Sequence, residues 1–168
     1  MHNHGLGSWM AKRRLKTPHK AALVFDGEQM TYRQLADGAD RVSALLARRG
    51  IGKGDSVAYL GENSPAFLQV LFGVVQLGAV FVPVNTRLAP PEITHVLTDC
   101  QARALIHDPE FSDRVAPGAA AGRIAHVIVT GEGSEGHPGL DRLARDAAGG
   151  HTDAEVALED PAATIYTS

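Results

Sequence analysis

Apolar positions along the chain switch repeatedly between a helical and an extended spacing. The segment 32–49 repeats apolar side chains at helical spacing and begins at a capping box formed by Thr31 and Gln34. A strand is predicted at 56–60, and the short continuous apolar run at 79–84 is typical of a strand in a parallel sheet. This alternation predicts an α/β fold with a mostly parallel, doubly wound sheet and helices on both faces.

The same patterns predict the remaining elements. The segment 65–78 is apolar nearly all round, which indicates a helix buried on most sides. Pro90 and Pro91 open another helix over about 90–99, because proline is favoured in a first helical turn. The other predicted elements are a helix within 6–17, a hairpin of 21–25 with 29–30, strands at 102–106 and 126–129, short helices at 109–115 and 140–147, and loops at 116–123 and 130–139.

The last eight residues, 161–168, are predicted to form a short buried strand that opens into a hydroxyl-rich turn. Ile165 and Tyr166 are residue types that favour a half-buried, pleated setting. Thr167 and Ser168 would then lie where a strand ends, a common place for backbone and hydroxyl donors to meet a phosphate. Many strands end in Thr-Ser, so this pair indicates a phosphate site only in combination with other motifs.

Composition limits the classes of function. The chain of 168 residues is 44% hydrophobic and 21% charged, which is typical of one globular domain or large subdomain. A net charge of −3 argues against a nucleic-acid partner. The single cysteine, Cys100, allows no internal disulfide and suits a reducing compartment, so a cytoplasmic location is expected. No apolar run is long enough to span a bilayer.

One basic cluster and a few histidines are candidates for binding roles. The cluster Lys12-Arg13-Arg14-Leu15-Lys16 is interpreted most simply as a solvated helix face, and a peripheral contact between Lys12–Lys16 and a membrane surface or an anionic ligand stays open. His95 and His107 lack partners at metal-ligand spacing. Packing roles are therefore favoured for both histidines, and no metal site is predicted.

Three segments, taken in order, are more specific together than any one alone. They are Met-Thr-Tyr-Arg-Gln-Leu at 30–35, Leu-Gly-Ala-Val-Phe-Val-Pro-Val-Asn-Thr-Arg-Leu at 77–88, and Tyr-Thr-Ser at 166–168. With the turn Gly-Ile-Gly-Lys-Gly-Asp-Ser-Val at 50–57, they resemble the amino-terminal part of the adenylate-forming (AMP-binding) superfamily, and the version at 77–88 favours its acyl-CoA or aryl-CoA synthetases. The likeness covers nearly the whole chain. It implies that residues 1–168 are the amino-terminal part of the large AMP-binding domain, and that the rest of that domain and the small carboxy-terminal domain are absent here. The chain corresponds to about a third of a typical family member.

The resemblance implies a reaction and its cofactors. Members of the superfamily join a carboxylic acid to Mg²⁺-bound ATP as an acyl-adenylate and then pass the acyl group to the thiol of CoA. By resemblance, Thr167 and Ser168 belong to the loop that holds the ATP phosphates, and Arg87 contacts the CoA nucleotide. The family's catalytic lysine and acid-binding pocket follow Ser168, so no residue here is assigned a catalytic role and the isolated chain is expected to be inactive.

Two other classes of protein differ from this one in what the sequence must contain. A Rossmann-type oxidoreductase needs Gly-x-Gly-x-x-Gly between the first strand and helix, and residues 26–31 do not supply it. A non-catalytic α/β module for interaction or dimerisation stays open. An unfinished sheet edge also predicts a homodimer or association with the remainder of a larger enzyme.

Overall fold

The computed structural model describes residues 3–134, 137–147 and 154–167. The helices are α1 (Ser8–Lys16), α2 (Tyr32–Arg48), α3 (Pro65–Gln76), α4 (Pro90–Asp99), α5 (Ser112–Ala121) and α6 (Leu140–Asp146). The strands are β1 (Ala21–Phe25), β2 (Glu28–Thr31), β3 (Ser56–Leu60), β4 (Val80–Pro83), β5 (Ala104–His107), β6 (His126–Val129), β7 (Gly133–Ser134) and β8 (His137–Pro138). Among the described residues, no helix is both long and apolar enough to cross a membrane.

A sheet of four parallel strands lies at the centre, in the order β4-β3-β5-β6. Val57 of β3 pairs with Phe81 of β4 on one side and with Ala104 of β5 on the other. Strands β1 and β2 form a separate antiparallel hairpin, and its turn residues Asp26 and Gly27 both have positive φ, as a two-residue hairpin turn requires. The prediction of a mostly parallel sheet is confirmed.

Alternate residues of the central strands face two different helical layers. Val57 and Tyr59 of β3 pack in a core with α2, α3 and α6. Ala58 and Leu60 of the same strand pack in a second core with α4 and α5. Because a strand projects successive side chains to opposite faces, its continuous apolar run supplies both cores at once. The sheet is therefore doubly wound, as predicted.

Helices α2 and α3 pack closely at Gly73, a position without a side chain. A Cβ added at Gly73 would lie 2.8 Å from Val42 Cβ and 2.9 Å from the Ala39 carbonyl oxygen. Both distances are shorter than real Cβ contacts show, and both atoms lie on or directly beside the backbone of α2. The spacing between these two helices therefore depends on glycine at position 73.

The prediction of a loop over 116–123 is wrong, since α5 continues to Ala121. Pro117 and Gly118 favour a break in a helix when only the local sequence is considered. In the structure, Gly118 faces α4, and a Cβ there would lie 2.9 Å from Leu97 Cδ1. Close packing on α4 therefore outweighs the low helix propensity of these two residues. The predicted loop at 130–139 likewise contains the short strands β7 and β8.

The prediction of a buried strand over 161–168 is also wrong. The Phe81 amide donates to the Ala162 carbonyl and the Thr164 amide donates to the Phe81 carbonyl, both at 3.0 Å, and no longer ladder forms. Ile165 is 70% exposed. The segment follows the outer edge of β4, where no described element covers its far side, so its apolar side chain stays in solvent. Ser168 lies outside the described residues.

Candidate functional site

The carboxyl ends of all four central strands meet at one edge of the sheet. Polar residues follow the strands there: Glu62 after β3, Asn85 after β4, Asp108 after β5 and Thr130 after β6. In doubly wound sheets this edge is the usual place for a ligand, because loops from several strands converge on it.

A cavity of about 860 Å³ lies at the β4 end of the edge. Its walls are the end of β4, the loop to α4, one side of α4 and residues 165–167. The polar residues that line it are Asn85, Glu92, His95, Tyr166 and Thr167. Its volume and its mixture of apolar walls with a few polar groups are typical of small-molecule sites.

Asn85 shapes the loop that leaves β4. Its Oδ1 accepts a hydrogen bond from the Arg87 amide at 2.9 Å, which is the pattern of an Asx turn. The side chain of Arg87 is exposed and does not line the cavity. Two of the site residues predicted from the sequence are therefore placed differently. Thr167 lines the cavity, as Asn85 does, whereas Arg87 lies outside the cavity lining.

Tyr166 attaches the segment that carries Thr167 to the end of α4. Its hydroxyl donates a hydrogen bond to Asp99 Oδ2 at 2.5 Å. Burial, and after it this bond to a carboxylate, raises the pKa of Tyr166 to about 12. The hydroxyl of Tyr166 therefore stays protonated throughout the neutral pH range and remains a hydrogen-bond donor to Asp99. Thr167 follows directly, with its side chain exposed.

Asp108 connects three strand ends, and the sequence analysis missed it. Its Oδ2 accepts a hydrogen bond from the Glu62 amide at 2.7 Å, and its Oδ1 accepts one from Thr130 Oγ1 at 2.6 Å. A Cβ on Gly61 would lie 2.5 Å from Asp108 Oδ2, so the loop after β3 passes close to the carboxylate. The signal that could have found Asp108 is its position directly after a buried parallel strand.

Replacing Asp108 with alanine is expected to lower the free energy of unfolding by about 3 kcal/mol. The substitution removes two hydrogen bonds to a charged acceptor and leaves the Glu62 amide without its partner. Urea denaturation followed by circular dichroism measures the change. Glu110→Ala is the matched control, since Glu110 is exposed and lies two residues away. Equal effects of the two substitutions would contradict this role for Asp108.

His107 and His95 have different surroundings. His107 is 1% exposed, and its Nδ1 lies 2.9 Å from the Asp108 carbonyl oxygen, so its ring is buried in the fold. His95 lines the cavity on α4, in the same wall as Glu92. In the part of the chain that the structure describes, no group of three or more His, Cys, Asp or Glu side chains is arranged to hold a metal ion.

The fold and the cavity define a class of protein: doubly wound α/β proteins with a cavity at the carboxyl edge of a parallel sheet. Comparison with known proteins narrows this class. A family model described as "AMP-binding enzyme" matches residues 10–168. The chain therefore belongs to the AMP-binding enzyme family, which the segments at 30–35, 50–57 and 77–88 had indicated.

Individual relatives agree with this assignment. A feruloyl-CoA synthase of Amycolatopsis sp is 46% identical over 127 residues, which are 76% of this chain and 26% of that protein. The inhibitor-bound N-terminal domain of FACL13 from Mycobacterium tuberculosis is 31% identical, with a TM-score of 0.81, over 100% of this chain and 42% of that one. ATP-bound MatB from Rhodopseudomonas palustris is 30% identical, with a TM-score of 0.82, over 96% and 31%. The chain spans about a quarter of the curated relatives' length.

Proposed function

We propose that this chain is the amino-terminal segment of an acyl-CoA synthetase, an enzyme that activates a carboxylic acid with ATP and transfers the acyl group to CoA. The observation that carries the proposal is the course of residues 162–167 along β4, because it brings Thr167 into the wall of the cavity that Asn85 also lines. Residues 1–168 are then the first part of the large AMP-binding domain, in a cytoplasmic enzyme.

Thr167 and Ser168 are the proposed contacts for the phosphates of ATP. A hydroxyl donor suits this task, since negative charge grows on the phosphate oxygens as the acyl-adenylate forms. The hydrogen bond from Tyr166 to Asp99 holds the preceding residue in place, so the donor is positioned before the substrate arrives. Mg²⁺, held mainly by phosphate oxygens and water, would neutralise part of that charge.

Arg87 is the proposed contact for a phosphate of CoA. Its guanidinium is exposed, and among the described carboxylates none forms an ion pair with it. Arginine presents a planar fork of donors that suits a phosphate group. The Asx turn at Asn85 fixes the backbone from which this side chain extends. An aromatic acid is the first substrate to test, because the 46% identical relative is a feruloyl-CoA synthase.

A chimera tests the proposed function. These 168 residues replace the corresponding part of the feruloyl-CoA synthase of Amycolatopsis, and the product is assayed with ferulate for ATP–pyrophosphate exchange and for thioester formation with CoA. We expect exchange from the chimera and none from the 168-residue chain alone, because that chain matches only 26% of its relative.

Two controls accompany the chimera. The parent synthase sets the full rate, and the synthase without its amino-terminal part sets the background. Folding is established first, from a single cooperative thermal transition. A folded chimera that shows no exchange would overturn the proposal and favour a non-catalytic α/β module. Robust exchange from the isolated chain would contradict the expectation that the isolated chain is inactive.

A further inference from the structure

Charge is distributed unevenly along this chain. All 19 acidic residues lie after Phe25, whereas five of the 16 lysine and arginine residues lie before it. These five are Lys12, Arg13, Arg14, Lys16 and Lys20. The net charge of the whole chain is −3, so the amino-terminal cations form a local positive region on an otherwise acidic protein.

The inner side of α1 is fixed to the rest of the fold. Met10 and Ala11 are buried. Arg14 on the same side forms ion pairs with Asp37 at 3.1 Å and with Asp40 at 2.5 Å, both on α2. Because these contacts determine the orientation of the helix about its axis, they also determine which residues face outward.

The outward side of α1 carries Trp9, Lys12, Arg13 and Lys16, and we call these four residues the basic α1 face. Their spacing of three, four and seven residues places them on one side of the helix. All four are exposed. Among the described carboxylates, none forms an ion pair with the three cations. The Arg13 guanidinium lies 5.4 Å from the centre of the Tyr32 ring, which orients it.

Large apolar side chains are exposed beside these cations. Trp9 is 57% exposed, Leu15 is 78% exposed, and Leu158, which lines a cavity of about 190 Å³ together with Trp9, is 77% exposed. An acidic protein surface would match the cations but would not require solvent-exposed tryptophan and leucine. The interface of an anionic bilayer accommodates both, because its phosphates attract cations and its headgroup region is where tryptophan accumulates.

We propose that the basic α1 face docks peripherally on an anionic lipid surface. Trp9 and Leu15 then lie at the level of the headgroups, and Lys12, Arg13 and Lys16 lie against the lipid phosphates. The inference does not depend on the proposed enzymatic function, because none of these residues lines the cavity at the carboxyl edge of the sheet.

Trp9 makes the proposal directly measurable, since it is the only tryptophan of the chain. The chain is mixed with vesicles of phosphatidylcholine alone, or with about one third phosphatidylglycerol. We expect co-sedimentation and a blue shift of the tryptophan emission with the anionic vesicles only. High salt should abolish both signals, since screening weakens the attraction between exposed charges.

Two double variants distinguish binding through the basic α1 face from binding through the overall positive charge of the chain. The double variant Lys12→Gln/Lys16→Gln should bind anionic vesicles about 10-fold or more weakly. The control Arg123→Gln/Arg142→Gln loses the same charge from exposed positions outside α1 and should bind like the unmodified chain. Circular dichroism verifies that both variants keep the fold.

Any of four results would overturn the proposal. The first is equal binding to neutral and anionic vesicles. The second is co-sedimentation without any shift of the Trp9 emission, which means that the indole does not enter the interface. The third is an equal loss of binding in the two double variants. If the chain binds an acidic carrier protein but no vesicle, the cations belong to a protein interface instead, and the lipid assignment is wrong.

Discussion

Replacing Thr167 with valine is expected to lower the rate of ATP–pyrophosphate exchange by the chimera about 100-fold. Valine keeps the shape of threonine but removes the hydroxyl that we propose donates to a phosphate of ATP. Loss of one well-positioned donor to a developing anion typically costs two to three orders of magnitude in rate. The measurement is incorporation of labelled pyrophosphate into ATP at saturating ferulate.

Thr164→Val is the matched control for that substitution. Thr164 lies three residues earlier in the same exposed segment, and the hydrogen bond that ties it to β4 comes from its backbone amide, which valine retains. We expect the control to keep nearly the full exchange rate. If both variants lose activity equally, the effect belongs to the conformation of the segment, and Thr167 has no specific role in phosphate binding.

Replacing Gly73 with valine is expected to lower the free energy of unfolding by about 3 kcal/mol, at the upper end of typical overpacking effects. The added side chain would overlap Val42 and the backbone of α2 at Ala39, so that α2 and α3 must separate. Separation would also loosen the core that these helices share with the central sheet. Urea denaturation with linear extrapolation measures the loss.

Gly52→Val provides the comparison for Gly73→Val. Apart from Gly52 and its two chain neighbours, no atom of the described residues lies within 4 Å of a Cβ added at Gly52, and its φ lies outside the left-handed region. The same substitution there should change stability by less than about 1 kcal/mol, as is usual at open surface positions. A small effect at position 73 would mean that the two helices adapt readily, and that glycine is not required between them.

Local sequence predicted the elements whose causes are local. The capping box at the start of α2 is present, with the Thr31 amide donating to Gln34 Oε1 at 2.8 Å and the Gln34 amide donating to Thr31 Oγ1 at 3.3 Å. Strand β6 has its predicted bounds, 126–129. Each of these features depends on residues close together in the chain.

Features that join distant segments were not predictable in the same way. The cavity combines the loop after β4 with residues 165–167, about 80 positions later. Nothing in the local pattern around Asp108 indicates that its carboxylate meets the amide of Glu62 and the hydroxyl of Thr130. Similarly, the polarity of α1 did not reveal which cations pair with α2 and which face solvent.

The sequence by itself determined the fold class, the order of the elements from α1 to β5 and the family, because periodicity, caps and short motifs are recorded in neighbouring residues. Tertiary structure alone decided that 161–167 is an exposed segment on β4, that α5 continues through Pro117, and that Thr167 shares a cavity with Asn85. The physical reason is that burial and close contact depend on what the rest of the fold packs against a segment. A residue's own sequence neighbourhood does not contain that information.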